Sequence, residues 1–405
     1  MSKRVKVDKD VPKADLCVVA HCIGHWSEVW LWRQLLGFRY LKPYVLTWKY
    51  VNQETFGLEN LPMRLLPFDS LAGEDRLLRW FRRVRSLPAG NFYASVGAER
   101  RFIKKLLSEM KLRVMLCHFG HAALRMLPVA MELEIPIVAH FHGLDLSSSL
   151  NNRWYRWSLL RALDSFNAIV VVGSHQKKWM LQHNVAEHRV HLIPCGVPTE
   201  FFRPDWCRRG EGIQFVSVSR LVEGKGLEYS IQAFAHVVRQ IPNARLLIVG
   251  DGPLRGELEE LARSLWLMAS VTFVGDVNPE KVRAYLLGSD IFIQHSVNTR
   301  AGWVEGFGVS IAEAAACGLP IISTRCGGIQ DQVVNGTTGF LVEQRDVDAM
   351  ADVMMELARD PALRAKFGQA GRERMVREFD TAKQIAKLEA VLLRCCRRTS
   401  SSNQI

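Results

Sequence analysis

Along the chain, short apolar runs rich in valine, isoleucine and leucine alternate with longer stretches whose apolar positions repeat at helical spacing. This is the pattern of parallel strands joined by crossover helices. In the first half the expected strands are "LCVVAHC", "PYVLTW", "RVMLCHF", "PIVAHFHG", "AIVVVGS" and "VHLIPCG". In the second half they are "IQFVSVSRL", "ARLLIVGDG", "VTFVGDV", "IFIQHS" and "PIISTRCGG". Each series makes one doubly wound α/β domain. The polar stretch "RPDWCRRGEG", Arg203 to Gly212, falls between them and is the expected linker and hinge. The boundaries that follow are an N-terminal domain over 1–205 and a C-terminal domain over 213–380. A closing helix over 381–396 and a disordered polar tail over 397–405 complete the chain. Two such domains facing each other turn the carboxyl ends of their strands toward a shared cleft, so motifs at those ends are read first.

Composition fits this picture. At 405 residues, 48% hydrophobic and 23% charged, the chain has the make-up of a soluble two-domain enzyme. No apolar run approaches the roughly 20 residues of a membrane span. The basic start ends in "LCVVA", shorter than the roughly 7 to 15 residues of a signal peptide's apolar region, so a cytoplasmic location is expected. Nine cysteines show neither a CxxC pair nor zinc spacing, and buried reduced thiols are expected. "CHFGH", Cys117 to His121, reads as a strand end with a histidine facing a cleft, since no second ligand cluster completes a shell. No metal site is expected.

Charge changes the picture locally. The net charge is +12, and from Arg76 to Arg113 eleven Lys and Arg face only Glu99 and Glu109. Within "RLLRWFRRVRS" and "RFIKKLLSEMK" the apolar residues Leu77, Trp80, Phe81, Val84, Phe102, Ile103, Leu106, Leu107 and Met110 recur at helical spacing. Basic amphipathic helices suit an anionic membrane surface, and equally they pack an apolar stripe on a core. Nucleic acid is not the expected partner, because no binding motif accompanies the patch.

Three strand ends carry chemistry. After "SVSR" the chain turns through "LVEGKG" into a helix, with Arg220 and Lys225 flanking the glycine-rich turn. Two cations beside free backbone N–H groups at a helix start suit a diphosphate; a solvated basic turn has the same composition. "IVGDGPLRGELEEL" approaches a dinucleotide fingerprint, but Gly250, Gly252 and Gly256 are spaced one residue too long and Pro253 interrupts them. A turn beside a nucleotide's base or ribose fits as well. In "EGFGVSIAE", Glu305 and Glu313 flank two glycines and a helical run, and Ser310 with Glu313 forms an S-x-x-E capping box. Were this stretch fully helical, its carboxylates would stand about 12 Å apart along the axis. Glycosidase pairs stand roughly 5 to 9.5 Å apart. Hydroxyl recognition by both carboxylates, around a helix start that faces phosphate, suits the spacing better.

Taken together, "SRLVEGKGLE", "IVGDGPLR", "VTFVGDVNPEKVRAYL" and "EGFGVSIAEAAACGLPIISTRCGGIQDQVVNGTTGFLV" resemble the C-terminal domain of retaining GT-B glycosyltransferases of family 4, including their E-x7-E motif. "VMLCHFGHAAL", "VAHFHGLDLS" and "VVVGSHQKKWMLQHNVAEHRVHLIPCGVPTEFF" are similar to the branch that contains colanic-acid and other exopolysaccharide enzymes. The resemblance implies a GT-B fold of two Rossmann-like domains facing a central cleft, with the closing helix packing back on the N-terminal domain. It implies that Arg220 and Lys225 hold the donor diphosphate, that Glu313 binds the nucleotide ribose, and that Glu305 binds the donor sugar or its phosphate. His142 of "HFHG" matches the histidine near the donor sugar, with His140 and His118 as secondary candidates. The backbone at Gly306, Phe307, Gly308 and Val309 matches the phosphate site, and Gly252 the donor side. One departure concerns the acceptor loop, where Gly24 replaces the branch's proline ahead of Ser27 and Glu28, so acceptor identity does not carry over.

The implied reaction is metal-independent and cofactor-free transfer, with retention, from a UDP- or GDP-linked sugar to a saccharide acceptor of the lipid-linked class. Peripheral attachment to the inner face of the membrane through Arg76 to Arg113 is compatible with it. The alternatives are a nucleotide-sugar epimerase or hydrolase on the same fold, and a binding protein that retains only the fold. An NAD dehydrogenase ranks last.

Overall fold

The computed structural model describes residues 14–24, 28–52, 61–66, 81, 84, 90–205 and 212–401. The N-terminal sheet contains β1 (Leu16–Ile23), β2 (Pro43–Tyr50), β3 (Met63–Leu65), β4 (Val114–His118), β5 (Ile137–Phe141), β6 (Ala168–Val171) and β7 (Val190–Leu192). The C-terminal sheet contains β8 (Gln214–Val218), β9 (Arg245–Val249), β10 (Val271–Gly275), β11 (Ile291–Gln294), β12 (Ile321–Thr324) and β13 (Gly339–Val342). Their orders are β3-β2-β1-β4-β5-β6-β7 and β10-β9-β8-β11-β12-β13, and the named strand pairs are parallel. This is the architecture of two Rossmann-like domains. β3 and β13 were not expected; both are short edge strands whose few apolar residues do not stand out in a pattern.

Burial on both faces explains the apolar strands. β1 sends Cys17 and Val19 into one core and Leu16, Val18 and Ala20 into the core on the opposite face. In the second sheet, Phe215 of β8 enters one core and Val216 the other.

The strand order reverses beside β1 and β4 in one sheet and beside β8 and β11 in the other. Loops leaving these strands diverge and open a crevice at their carboxyl ends. The two crevices face each other.

The chain passes between the domains where Val197 lies parallel to Asp380. Val197 N–H donates to Phe379 O, and Thr381 N–H donates to Val197 O, each at 2.9 Å. This crossing precedes the stretch expected as hinge, of which 206–211 lie outside the described residues. The last helix, Thr381–Ser401, buries Leu388, Val391 and Leu392 in the same core as Leu16, Val18 and Leu31 of the N-terminal domain. Its Glu389 carboxylate accepts from the N–H groups of Arg39, Tyr40 and Leu41 at 3.0, 2.7 and 2.9 Å. The helix extends five residues beyond the expected end at Cys396, because neither glycine nor proline follows to stop it. The tail expected to be disordered over 397–405 is therefore helical as far as Ser401.

Candidate active site

Between the domains lies a cleft of about 680 Å³. Its walls hold Arg220, Lys225, Glu305 and Glu313 from the C-terminal domain, with Glu28 and His142 from the N-terminal domain. Gly306, Phe307 and Val309 also line it.

β8 ends before Arg220, and a short turn, Glu223–Lys225, leads into the helix Leu227–Gln240. Gly226 makes that corner at φ 55°, and a Cβ there would meet His295 O at 2.0 Å. Only glycine satisfies both conditions. The turn delivers the Lys225 ammonium onto the Glu305 carboxylate, as an ion pair with side chains only 13% and 8% exposed. Glu305 Oε2 also accepts from Gln294 Nε2 at 3.4 Å, and Lys225 lies over the Trp303 ring at 5.4 Å. Arg220 is exposed and acts electrostatically on Glu28. Burial pushes the Glu28 carboxyl above the usual carboxylate range, and Arg220 pulls it back.

The loop carrying Glu305 packs against the other domain at van der Waals distance. A Cβ on Gly306 would lie 1.9 Å from His142 O, and one on Gly328 would lie 2.0 Å from Gly306 O. Gly306 and the two glycines of "CGG" are thus places where backbone meets backbone.

The helix Val309–Ala316 starts from Gly308 with no side-chain cap. The capping box therefore does not form. Ser310 lies inside the helix, and its hydroxyl donates to Gln294 Oε1 at 3.3 Å. Glu313 instead pairs with Arg33 of the N-terminal domain at 3.3 Å. Burial raises the Glu313 carboxyl, and the Arg33 guanidinium lowers it. Gln332, its amide oriented by its partners, accepts from Gly308 N–H at 2.9 Å and donates to Gly308 O at 3.0 Å.

Gly308, expected at the phosphates, has its N–H on Gln332 and does not line the cleft. Gly252 does not line the cleft either. It packs where a Cβ would meet Leu221 O at 2.5 Å. Gly24 turns the chain at φ 87° without lining the cleft, and Ser27 lies outside the described residues.

His142 stacks on Trp30 with ring centroids 4.0 Å apart, and its Nε2 lies 3.0 Å from His118 Nδ1. Burial, then His140 and His118, hold its pKa well below the ordinary histidine value, so the ring is neutral. Its backbone is fixed by Asp145, whose carboxylate accepts from the N–H groups of His142, Gly143 and Gly120 at 3.1, 3.0 and 3.1 Å. Sequence reading missed Asp145, Trp30, Arg33 and Trp303. Asp145 had a signal in its place within "HGLD", whereas Arg33 is one more basic residue on a helix face and meets its partner only through the tertiary fold.

The basic stretch divides. Helix Gly97–Ser108 buries Ile103 and Leu107 in the domain core, so its apolar stripe is not available to another surface. Arg101 and Lys105 remain exposed, while Arg100 and Lys104 pair with Glu132. Phe81 and Val84 are 60% and 41% exposed. Arg79, Arg82, Arg83 and Arg85 lie outside the described residues. Among the described residues, no helix is long and apolar enough to cross a membrane.

Two family models match the chain in succession. "Glycosyltransferase Family 4" matches residues 65–201, and "Glycosyl transferases group 1" matches residues 198–374. The chain is 33% identical over 246 residues to a GDP-mannose-dependent alpha-(1-6)-phosphatidylinositol monomannoside mannosyltransferase of Mycolicibacterium smegmatis. That match covers 58% of this chain and 64% of the relative. The chain thus spans less than two thirds of the length of the mycobacterial relatives it matches. It is 25% identical over 287 residues to the amylovoran biosynthesis glycosyltransferase AmsK of Erwinia amylovora, covering 69% of this chain and 70% of that one. Among solved structures, Anabaena HepE in complex with UDP and glucose superposes with a TM-score of 0.76 at 15% identity, covering 94% of this chain and 99% of that one. At that identity the likeness speaks for the fold.

Proposed function

We propose, on the premise that this chain belongs to the GT-B glycosyltransferases of family 4, that it moves a sugar from a nucleotide diphosphate donor to a saccharide acceptor. The observation that carries the reading is the convergence of Lys225, Glu305, Arg220 and Glu313 with His142 of the other domain in one cleft. Negative charge grows on the departing diphosphate as the glycosidic C–O bond breaks. Cations already fixed beside it stabilise that charge without reorganising. Lys225 has three N–H donors, so an ammonium held by Glu305 still has two to offer. Arg220, across from Glu28, supplies the second cation. In this reading no metal or cofactor is required at the diphosphate, Glu313 receives the ribose hydroxyls, and His142 meets the donor sugar.

A retaining, front-face course fits the site. The leaving phosphate takes the acceptor's proton while the acceptor oxygen bonds the anomeric carbon on the same face, and no protein nucleophile is invoked. Closure over the cleft excludes water and limits donor hydrolysis. The relatives named as a phosphatidylinositol monomannoside mannosyltransferase and an amylovoran biosynthesis glycosyltransferase favour transfer over epimerisation or hydrolysis, and the first favours a lipid-linked saccharide as acceptor. A cytoplasmic chain resting on the inner membrane face accords with the exposed Phe81 and Val84 in a basic stretch.

Calorimetry with UDP, GDP and their sugars tests the donor reading, and product analysis with and without acceptor tests the reaction. Lys225→Ala and Arg220→Ala are each expected to cost about 2 to 4 kcal/mol of transition-state stabilisation, read as kcat/KM. Wild-type turnover in both variants overturns the diphosphate assignment.

A further inference from the structure

Three histidines come together behind the N-terminal wall of the cleft, with His142 lining it and His118 and His140 buried beneath. His118 ends β4, His140 sits opposite it in β5, and His142 follows β5. One ring nitrogen from each lies within 4.8 Å of the other two. His118 Nδ1 and His142 Nε2 are 3.0 Å apart, and the His140 ring centroid is 4.1 Å from that of His142.

Their hydrogen bonding is incomplete. Neither ring nitrogen of His140 has a partner, although the residue is only 1% exposed, and His118 Nε2 has none either. A neutral imidazole carries one donor and one acceptor, and buried ring nitrogens without partners are costly unless something satisfies them. His142 differs in having both nitrogens engaged, with Nδ1 at 3.8 Å from Cys195 Sγ. A proton on that Nδ1 leaves Nε2 as the lone-pair nitrogen on the His118 side.

We propose that His118, His140 and His142 form a three-histidine site for a divalent transition metal of the Zn²⁺ or Co²⁺ type, with a water as fourth ligand on the side of His142, the ligand that lines the cleft. Three imidazoles without a carboxylate suit these ions and not Mg²⁺ or Ca²⁺. With metal–nitrogen bonds of about 2.0 to 2.1 Å, tetrahedral ligand nitrogens stand about 3.3 Å apart. The His118 to His142 separation is already close to that, and a His140 ring nitrogen lies within 4.8 Å of both. Asp145 fixes the backbone that carries His142, so the ligand is held before the ion arrives.

The site is separate from the cations assigned to the diphosphate. Its ion would occupy His142, the residue assigned above to the donor sugar, and so restrain transfer. This consequence alone rests on the proposed function; metal binding does not.

Titration of the nucleotide-free full chain with Co²⁺, followed by visible absorption, is expected to give one equivalent in a four-coordinate band that Zn²⁺ displaces. His140→Gln and, separately, His142→Gln are expected to lose the band and weaken Co²⁺ binding at least tenfold. His183→Gln, at an exposed histidine elsewhere, is expected to keep both. Circular dichroism establishes whether the His140 variant folds, and the half-buried His142 supplies the test if it does not. No four-coordinate band in the wild type, or equal Co²⁺ affinity in the wild type and the His142 variant, overturns the proposal. Nucleotide binding measured on the same samples separates this failure from failure of the glycosyltransferase reading.

Discussion

Glu313 is bound to a residue from the opposite domain and takes no part in starting its own helix. Its partner Arg33 is as secluded as Glu313 itself, both side chains being 11% exposed. Breaking such a pair strands the remaining charge, which typically costs about 3 to 5 kcal/mol. Arg33→Gln should therefore lower the melting temperature more than the double variant Arg33→Gln/Glu313→Gln, which leaves no charge stranded. A double-mutant cycle by denaturant titration reads the coupling, and additive effects would show that the pair contributes nothing. A second residue ties stability to pH. His295 accepts the N–H of Arg345 on Nε2 at 2.7 Å, which requires that nitrogen unprotonated, and burial depresses its pKa to about 4 against the pull of Asp346. The unfolded chain takes up this proton near pH 6.5 while the folded chain resists it. Stability is then fully present above pH 6.5 and falls as pH drops toward 4, by up to about 3 kcal/mol from this group. His295→Asn should show a flatter melting-temperature profile over that window; an unchanged slope would remove His295 as the cause.

The loop from Glu305 to Gly308 is the element on which the cleft depends, and its glycines are spacing devices. Gly306→Ala inserts a methyl where His142 O lies 1.9 Å from the Cβ position. A backbone oxygen cannot swing aside as a side chain can, so the two domains must part. The expected cost is about 1 to 3 kcal/mol, seen as a lower melting temperature, a larger radius of gyration in X-ray scattering and weaker nucleotide binding. A variant of wild-type dimensions and affinity would mean that the loop yields locally. At this scale much was legible. Each long buried strand announces itself as an apolar run, and the two carboxylates of "EGFGVSIAE" stand out, though their reading as E-x7-E comes from the family resemblance. What stayed hidden depends on partners distant in sequence. Ser310 and Glu313 satisfy a capping pattern, yet the helix begins two residues earlier because Gln332 clasps Gly308. His118 of "CHFGH" likewise gains His140 and His142 as neighbours only when β4 pairs with β5.

Across the whole molecule, the polar contacts by which the two domains meet include Arg33 with Glu313 and the Ser174 N–H and hydroxyl on Asp331 at 2.7 and 2.5 Å. The doubly wound pairing of domains was readable from the alternating pattern, but the crossing at Val197 and Asp380 was not, because an isolated bridge leaves no composition signature. The basic stretch belongs to this scale as well, since it concerns which surface the molecule turns outward. Helix Gly97–Ser108 has spent its apolar stripe on the core, so attraction to a membrane from that helix is restricted to its exposed cations. Among the described residues of the preceding segment, Phe81 and Val84 are exposed apolar side chains. Each cation near an anionic leaflet contributes roughly 1 kcal/mol, screened over a Debye length of about 8 to 10 Å at moderate salt. Binding to anionic vesicles should therefore be strong at low salt and fall steeply as salt rises, and neutral vesicles should bind weakly. Replacing Arg79, Arg82, Arg83 and Arg85 with Gln should release the protein while leaving nucleotide affinity in the other domain unchanged. Phe81→Ser should weaken binding in a way that salt does not mimic, because insertion is an apolar term. Equal sedimentation of the wild type and the quadruple variant with anionic vesicles would reject the membrane surface as partner and favour an acceptor met in solution.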